Sequence, residues 1–199
     1  MIVHVGPKGV QKVGHICFAY DDIVYSYGNY DSDSFHLNQT IGDGIFFTVP
    51  FEKYIPNMIS AENNSIFEYG IYTTSKQNAL IEKEIEKIRQ NGYRWYTKIE
   101  KEDGYDRFSE YEMDYPSRLH YRTGAKLYKV KSGKFHIYWA LGDNCASFTD
   151  LVLGTLGADV LSIRGIISPG TYLDWLQKEY LKKNSPIVFR RIYKEWDSE

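Results

Sequence analysis

The chain has 199 residues, a length that suits one domain with a substantial buried core. Its hydrophobic content of 43% and charged content of 25% are those of an ordinary globular protein, and its formal charge of −2 argues against a nucleic-acid binder. No run approaches the roughly 20 apolar residues of a membrane span, and the first residues lack a charged region followed by an apolar one. We therefore expect neither an integral membrane segment nor a cleaved signal peptide.

The strands predicted along the chain are runs rich in β-branched and aromatic residues, bounded by turn residues. They cover residues 12–20, 23–27, 44–49, 67–73, 134–139 and 186–193. The first two are separated only by Asp21 and Asp22, which predicts a hairpin with a tight turn. The chain contains no repeat, low-complexity tract or linker, so the sequence predicts a single domain over residues 1–199.

Helices are predicted over about residues 75–90, 145–156 and 168–184. The first is the best marked, because Thr74 and Gln77 have the spacing of a capping box and Asn91-Gly92 ends it. The region from about residue 101 to 133 is charged and irregular, which predicts an insertion or a lid. This mixture of strands and helices predicts an α+β fold.

Cys145 stands at the start of the second predicted helix, in the run Gly-Asp-Asn-Cys-Ala-Ser-Phe. Asp143 or Asn144 can cap that helix, which leaves the thiol in the first turn. The unpaired amides and the helix dipole there favour an anion, so the pKa of the thiol should fall. The same amides can stabilise an oxyanion beside the sulfur. The alternative is a buried, inert cysteine, and the local pattern alone does not decide between the two.

A cysteine nucleophile needs a base, and histidine is the usual one. Three of the five histidines lie in loop-like segments or at the chain end, where we expect fraying: His36, His120 and His4. His136, on a predicted strand shortly before Cys145, is an alternative base. His15 is the leading candidate, because it lies within a strand after Gly14, whose missing side chain leaves space for another group. A histidine on a strand is, however, more often a satisfied core residue.

The strand after the hairpin turn can supply a group that orients His15. A two-residue turn places Gly28 opposite His15 and makes Ser26 its diagonal neighbour on the same face. Ser26 can accept a hydrogen bond from one ring nitrogen and fix the tautomer. Asp31, just past the strand end, can do so with more charge. Ser26 can equally be a plain hydroxyl on the face of a strand.

The two cysteines are too few for a disulfide framework in a chain of this length. No pair of Cys or His has the spacing of zinc ligands, so we expect no metal and no cofactor. Cys17 shares a strand face with His15 but lacks the helix start that would activate it.

These motifs resemble the circularly permuted papain-like superfamily, through Gly14-His15, then Tyr25-Ser26-Tyr27-Gly28-Asn29-Tyr30, then Asn144-Cys145 followed by Phe148 and Leu151. Its members include bacterial cell-wall amidases, lecithin:retinol acyltransferase-like proteins and papain-fold toxin domains of polymorphic secretion systems. As here, their His strand precedes the Cys helix, which reverses the order in papain. The toxin-type members look closest, and Ser168-Pro169-Gly170 also resembles the start of their final helix.

The resemblance implies an antiparallel sheet packed against a helix that bears the catalytic cysteine at its N-terminus. It also implies thiol hydrolysis of an amide, with Cys145 as nucleophile, His15 as base and Ser26 as third catalytic residue. Asp31 and Asn144 are further candidates for an orienting or oxyanion-binding role. The acyltransferase branch usually carries a second histidine where this chain has Ser26 or Tyr27, which weakens that branch.

The expected function is that of an antibacterial effector of a specialised system such as type VI secretion, which cleaves peptidoglycan peptide stems in the target-cell periplasm. The expected partners are a secretion carrier and an immunity protein, without nucleic acid. The 18 tyrosines suit a polar, extended ligand, although strand propensity alone also selects Tyr. Two alternatives stay open: a toxin of the same fold in the target-cell cytoplasm (a protease, acyltransferase or thioesterase), and a catalytically silent binding module.

Overall fold

The computed structural model describes residues 1–5, 14–101, 109–156 and 168–194. These residues form an α+β fold in which eight strands make one large sheet and two more make a small second sheet. The strands are β1 (Ile2–Val5), β2 (His15–Tyr20), β3 (Ile23–Gly28), β4 (Ile41–Asp43), β5 (Ile45–Pro50), β6 (Ser65–Ile71), β7 (Gly92–Trp95), β8 (Lys126–Val130), β9 (Ile137–Trp139) and β10 (Ile187–Tyr193).

The large sheet has the order β10-β6-β1-β2-β3-β5-β8-β7, and each of its described pairs is antiparallel. Strands β4 and β9 pair with each other in the small sheet. The helices are α1 (Phe51–Pro56), α2 (Ser75–Gln90), α3 (Lys98–Lys101), α4 (Tyr115–Thr123), α5 (Cys145–Leu153) and α6 (Pro169–Tyr180).

The large sheet carries a hydrophobic core on each face, because successive side chains of a strand point to opposite sides. On β2, Ile16 and Phe18 belong to the core that also contains side chains of α2, α5 and α6, which we call the α5 side. Cys17, between them, belongs to the core that contains side chains of α1 and α4, which we call the α1 side. Helices therefore cover the sheet on both faces.

Several predicted elements are confirmed. Helix α2 has the predicted bounds, with the capping box between Thr74 and Gln77. The hairpin turn is also confirmed: Tyr20 pairs with Ile23, and Asp21 and Asp22 have φ of 50° and 57°, the two positive values of a type I′ turn.

Other predicted elements are shorter than expected. The α-helix that begins at Cys145 ends at Leu153 and continues as a 3₁₀ turn to Leu156. Helix α6 ends at Tyr180 rather than near residue 184. The strand predicted over 134–139 is reduced to β9, because Phe135 has φ of 69°, which interrupts an extended strand.

Two predictions are wrong. Residues 101–133 were expected to be an irregular insertion or lid, but their described part contains α4 and β8, and β8 lies between β5 and β7 in the large sheet. His4 was expected to fray, but β1 pairs with β6 on one side and β2 on the other, and His4 is 4% exposed. Both errors concern strands whose stability comes from distant partners in the chain.

Candidate active site

The loop that leads into α5 fixes the backbone position of Cys145. Asn144 is the N-cap, and its side-chain oxygen accepts hydrogen bonds from the amides of Ala146 (2.9 Å) and Ser147 (3.1 Å). Its side-chain amide donates to the carbonyl of Ala140 at 3.0 Å. A helix start at Cys145, as predicted, follows from this cap. The structure shows Asn144 as a capping residue, and its role towards an oxyanion stays a prediction.

The thiol of Cys145 is 4% exposed. Burial raises its pKa to about 11, although the nearby backbone amides of Ile16, Ala146 and Cys145 itself act to lower it. The predicted fall in the pKa of this thiol is therefore wrong for the substrate-free protein. Desolvation of a thiolate outweighs the stabilisation that the nearby backbone amides provide.

Phe148, one turn after Cys145, anchors α5 in the core on the α5 side. It is 1% exposed and makes ring contacts with four aromatic side chains. They are Tyr27 at 4.9 Å, Phe135 at 5.4 Å, Phe46 at 6.2 Å and Phe18 at 6.4 Å between ring centroids. The helix start that carries the thiol is therefore held by an aromatic cluster rather than by the loop alone.

The backbone amide of Ile16 lies near the Cys145 thiol, at the point where strands β2 and β3 separate. The described ladder between β2 and β3 runs from Tyr20–Ile23 to Phe18–Tyr25 and stops there. Ile16 lies beyond this end, and its amide is close enough to the Cys145 sulfur to lower the pKa of the thiol. Since His15 directly precedes Ile16, the thiol lies beside the backbone that carries the predicted base.

His15 belongs to a chain of three hydrogen-bonding side chains. Its Nε2 lies 2.7 Å from the Ser26 hydroxyl, which lies 3.1 Å from the Tyr30 hydroxyl. The predicted contact between His15 and Ser26 is present, and its catalytic role stays a prediction. Tyr30 was not predicted as a site residue. The signal that could have identified it is Gly28, because a Cβ there would lie 2.8 Å from the Tyr30 ring.

Next to this chain lies a buried histidine. His4 is opposite His15 in the β1–β2 ladder, the two ring centroids are 5.4 Å apart, and His4 Nε2 lies 3.1 Å from the Tyr54 hydroxyl. Gly14 allows this approach, because a Cβ at Gly14 would lie 2.8 Å from the His4 carbonyl oxygen. Burial lowers the pKa of His15 to about 4, so its ring is neutral at pH 7.

The structure brings the sulfur of Cys145 close to the backbone of β2 but leaves the two side chains on different sides of the sheet. His15 contacts His4, which bonds to Tyr54 of α1, whereas α5 packs on the opposite face. In the described residues no hydrogen bond joins the sulfur to the His15 ring. Catalytic hydrogen bonds are often long in substrate-free enzymes, so the pairing of Cys145 with His15 stays a prediction.

The other two candidates have partners of their own. Asp31 accepts a hydrogen bond from Lys129 at 2.7 Å, and the same ammonium binds Asp43 at 2.6 Å. Asp31 also caps a short 3₁₀ turn at residues 32–34. His136 donates from Nδ1 to the Val130 carbonyl at 2.8 Å and is exposed. Within the described ranges neither residue hydrogen-bonds to His15 or Cys145, so their roles as orienting group and alternative base stay predictions.

Cys17 and Cys145 are both buried free thiols. Burial raises the pKa of Cys17 to about 12, and its sulfur lies 3.9 Å from the Tyr54 hydroxyl. No group of three or more His, Cys, Asp or Glu side chains within residues 1–5, 14–101, 109–156 and 168–194 could hold a metal ion. In the same ranges, no helix is both long and apolar enough to cross a bilayer.

The low pKa of His15 predicts an acid-sensitive fold. Above pH 6.5 the ring is neutral in the folded and unfolded chain; as the pH falls from 6.5 towards 4, only the unfolded chain gains the proton. The free energy of unfolding should therefore decrease over this window, by at most about 3 kcal/mol from His15. Urea denaturation at pH 7.5 and 4.5 checks this. The pH dependence should weaken in His15→Gln and persist in His136→Gln; equal slopes in both variants would contradict it.

The chain was compared with protein-family models, with curated proteins and with solved structures, and none of them matches. What the protein does must therefore be inferred from the geometry of β2, β3 and α5 and from the sequence motifs that they carry.

Proposed function

We propose that the protein is a cysteine hydrolase of the permuted papain-like fold, with Cys145 as nucleophile and His15 as base. The observation that carries the proposal is the buried thiol at the start of α5, whose pKa is lowered by the nearby backbone amides of the helix start and of Ile16, the residue after His15. The hydrogen bond between His15 and Ser26 adds an orienting partner for the ring. A nucleophile, a base and a group that orients the base are the parts such a reaction needs.

In the proposed reaction, His15 takes the thiol proton as the sulfur attacks the carbonyl carbon of an amide. The carbonyl oxygen becomes an oxyanion, and amides at the helix start are suited to stabilise it. The intermediate then collapses to a thioester, and the amine leaves with the proton from His15. Water, activated by the same ring, hydrolyses the thioester and restores the thiol. Because the thiol is neutral at rest, the proton has to move during the attack.

The proposed substrate is the peptide stem of peptidoglycan, and the resemblance to papain-fold toxins supports it. Half-exposed aromatic side chains, which suit a polar and extended ligand, occur at the surface. They include Tyr72, Tyr93, Tyr96, Tyr121 and Trp139. Delivery by a specialised secretion system and neutralisation by an immunity protein belong to the same proposal. Toxicity on expression in the periplasm but not in the cytoplasm would support it, and the reverse would favour an intracellular target.

Purified sacculi provide the direct test. Incubation with the wild-type protein should release soluble muropeptides, and mass spectrometry should find new amine and carboxyl ends within the peptide stem. If only glycan ends appear, the amidase assignment fails. If no muropeptide is released, the cell-wall assignment fails.

A catalytically silent binding module is a second candidate, and the buried thiol with its raised pKa favours it. Alkylation of Cys145 by iodoacetamide at pH 7, in a Cys17→Ala background, separates the two. A hydrolase uses His15 as base, so His15→Gln should slow alkylation by at least about tenfold, a threshold set below the usual effect of about 10²–10⁴-fold for a general base. In a silent binding module, the Cys145 thiol reacts only as its own thiolate. The alkylation rates with His15 and with His15→Gln would then be equal, and both would rise tenfold per pH unit. His136→Gln is the matched control and should react like the wild type.

A further inference from the structure

Tyr30 extends the hydrogen-bonded chain that begins at His15. Its hydroxyl lies 3.1 Å from the Ser26 hydroxyl, and its ring packs against Phe47 at 5.4 Å and Tyr115 at 5.8 Å between centroids. The ring comes close to the backbone because Gly28 has no side chain: a Cβ there would lie 2.8 Å from Cζ and 3.0 Å from the hydroxyl oxygen. Residues of β3, β5 and α4 thus hold the phenol against Ser26.

Either oxygen of the Ser26–Tyr30 pair can donate the hydrogen bond. In the arrangement that we consider, the phenol donates, because Ser26 is the hydrogen-bond partner of the Tyr30 hydroxyl within the described residues. The Ser26 hydroxyl, in a residue with 0% exposure, then has His15 Nε2 as its acceptor. The 2.7 Å separation between the Ser26 hydroxyl and His15 Nε2 lies within the range of a hydroxyl-donated bond.

We propose that Tyr30 is a positioning residue that directs the Ser26 hydroxyl towards His15 Nε2 and thereby keeps the ring proton on Nδ1 in the substrate-free protein. The inference rests on the proposed role of His15 as base. Ser26 was expected to accept from the ring; here it donates to it. The ring has one such proton at pH 7, because burial lowers its pKa to about 4.

This arrangement holds the base in a resting form. Ser26 occupies Nε2, so Nδ1 is the ring nitrogen left to take the thiol proton, and a protonated Nδ1 cannot accept it. The described residues show no hydrogen bond between the Cys145 sulfur and the ring, and the two side chains lie on different sides of the sheet. For the reaction, the chain has to reverse: Nε2–H donates to Ser26, and Ser26 donates to Tyr30. Tyr30 thus opposes the reactive tautomer through Ser26.

The tautomer can be read directly by NMR of ¹⁵N-labelled full-length protein at pH 7, where the protonated and unprotonated ring nitrogens have well-separated shifts. The wild type should show Nδ1 of His15 protonated and Nε2 unprotonated. Tyr30→Phe keeps the ring and removes only the hydroxyl, and it should raise the ratio of the Nε2–H to the Nδ1–H form by about fivefold, the usual effect of one hydrogen bond. Tyr115→Phe, which removes a neighbouring hydroxyl outside the chain, should leave the ratio unchanged.

A second variant guards against a folding defect in Tyr30→Phe. Gly28→Ala retains the phenol but places a Cβ where the Tyr30 ring lies, so it should shift the ratio in the same direction. The inference is overturned by a wild-type ring protonated on Nε2, or by a ratio that both variants leave unchanged. The ring proton is observed without substrate, so the two claims can fail separately. If the ring carries its proton on Nδ1 but the protein cleaves no sacculi, only the proposed function is contradicted. If the protein cleaves sacculi but the ring carries its proton on Nε2, only this inference is contradicted.

Discussion

Cys145→Ala should abolish the release of muropeptides from purified sacculi, with a loss of at least about 10⁴-fold in kcat/KM. The expected loss is this large because the sulfur forms the covalent bond in the proposed reaction, and neither His15 nor the amides at the helix start can replace it. The rate is measured by chromatography of soluble products over time. Circular dichroism should show an intact fold, since alanine fits where the thiol lies and the Asn144 cap is retained.

Cys17→Ala is the matched control, because Cys17 is the other buried thiol of the chain. Its side chain lies on the α1 side of the sheet, away from the start of α5. We expect this variant to lose stability but to keep kcat/KM within about tenfold of the wild type. If both cysteine variants are equally active, Cys145 is not the nucleophile. If only Cys17→Ala is inactive, the reactive thiol has been assigned to the wrong side of the sheet.

Phe148→Ala should have the largest effect on stability, a decrease of about 3–5 kcal/mol in the free energy of unfolding. The side chain is 1% exposed and stacks within 4.9 Å of the Tyr27 ring, so its removal opens a cavity under α5. Urea denaturation measures the change. Tyr72→Ala, at a 68% exposed position, is the control and should change stability by less than about 0.5 kcal/mol. A decrease below about 1 kcal/mol for Phe148→Ala would mean that α5 is held mainly by its cap.

The parts of the fold that the sequence predicts well are those with local causes. Helix α2 follows from the capping box at Thr74 and from an apolar stripe with helical spacing, both of which lie within the helix itself. The β2–β3 hairpin follows from two aspartates that tolerate positive φ. The contact between His15 and Ser26 could be predicted because a two-residue turn fixes the register of both strands.

The remaining features depend on partners far along the chain. Strand β1 lies between β2 and β6, and its pairing with β6 places Ile2 opposite Glu68. No local sequence pattern predicts that contact. The burial of His4 follows from the same pairing. The raised pKa of the Cys145 thiol differs from the expectation because the helix start is visible in the sequence whereas burial is not. Local motifs therefore predict the place of a side chain on its element better than its solvation.

At the end of the β2–β3 ladder, the chemical state of Cys145 can affect the backbone of the sheet. The Ile16 amide is close enough to the Cys145 sulfur to lower the pKa of the thiol, so the backbone of β2 is sensitive to the chemical state of a side chain on another element. Acylation or alkylation replaces the thiol proton with a bulkier group beside this amide. Covalent modification of Cys145 would thus be felt in the backbone of β2, one residue from His15, and the Ile16 amide proton is a natural reporter of whether the thiol is free.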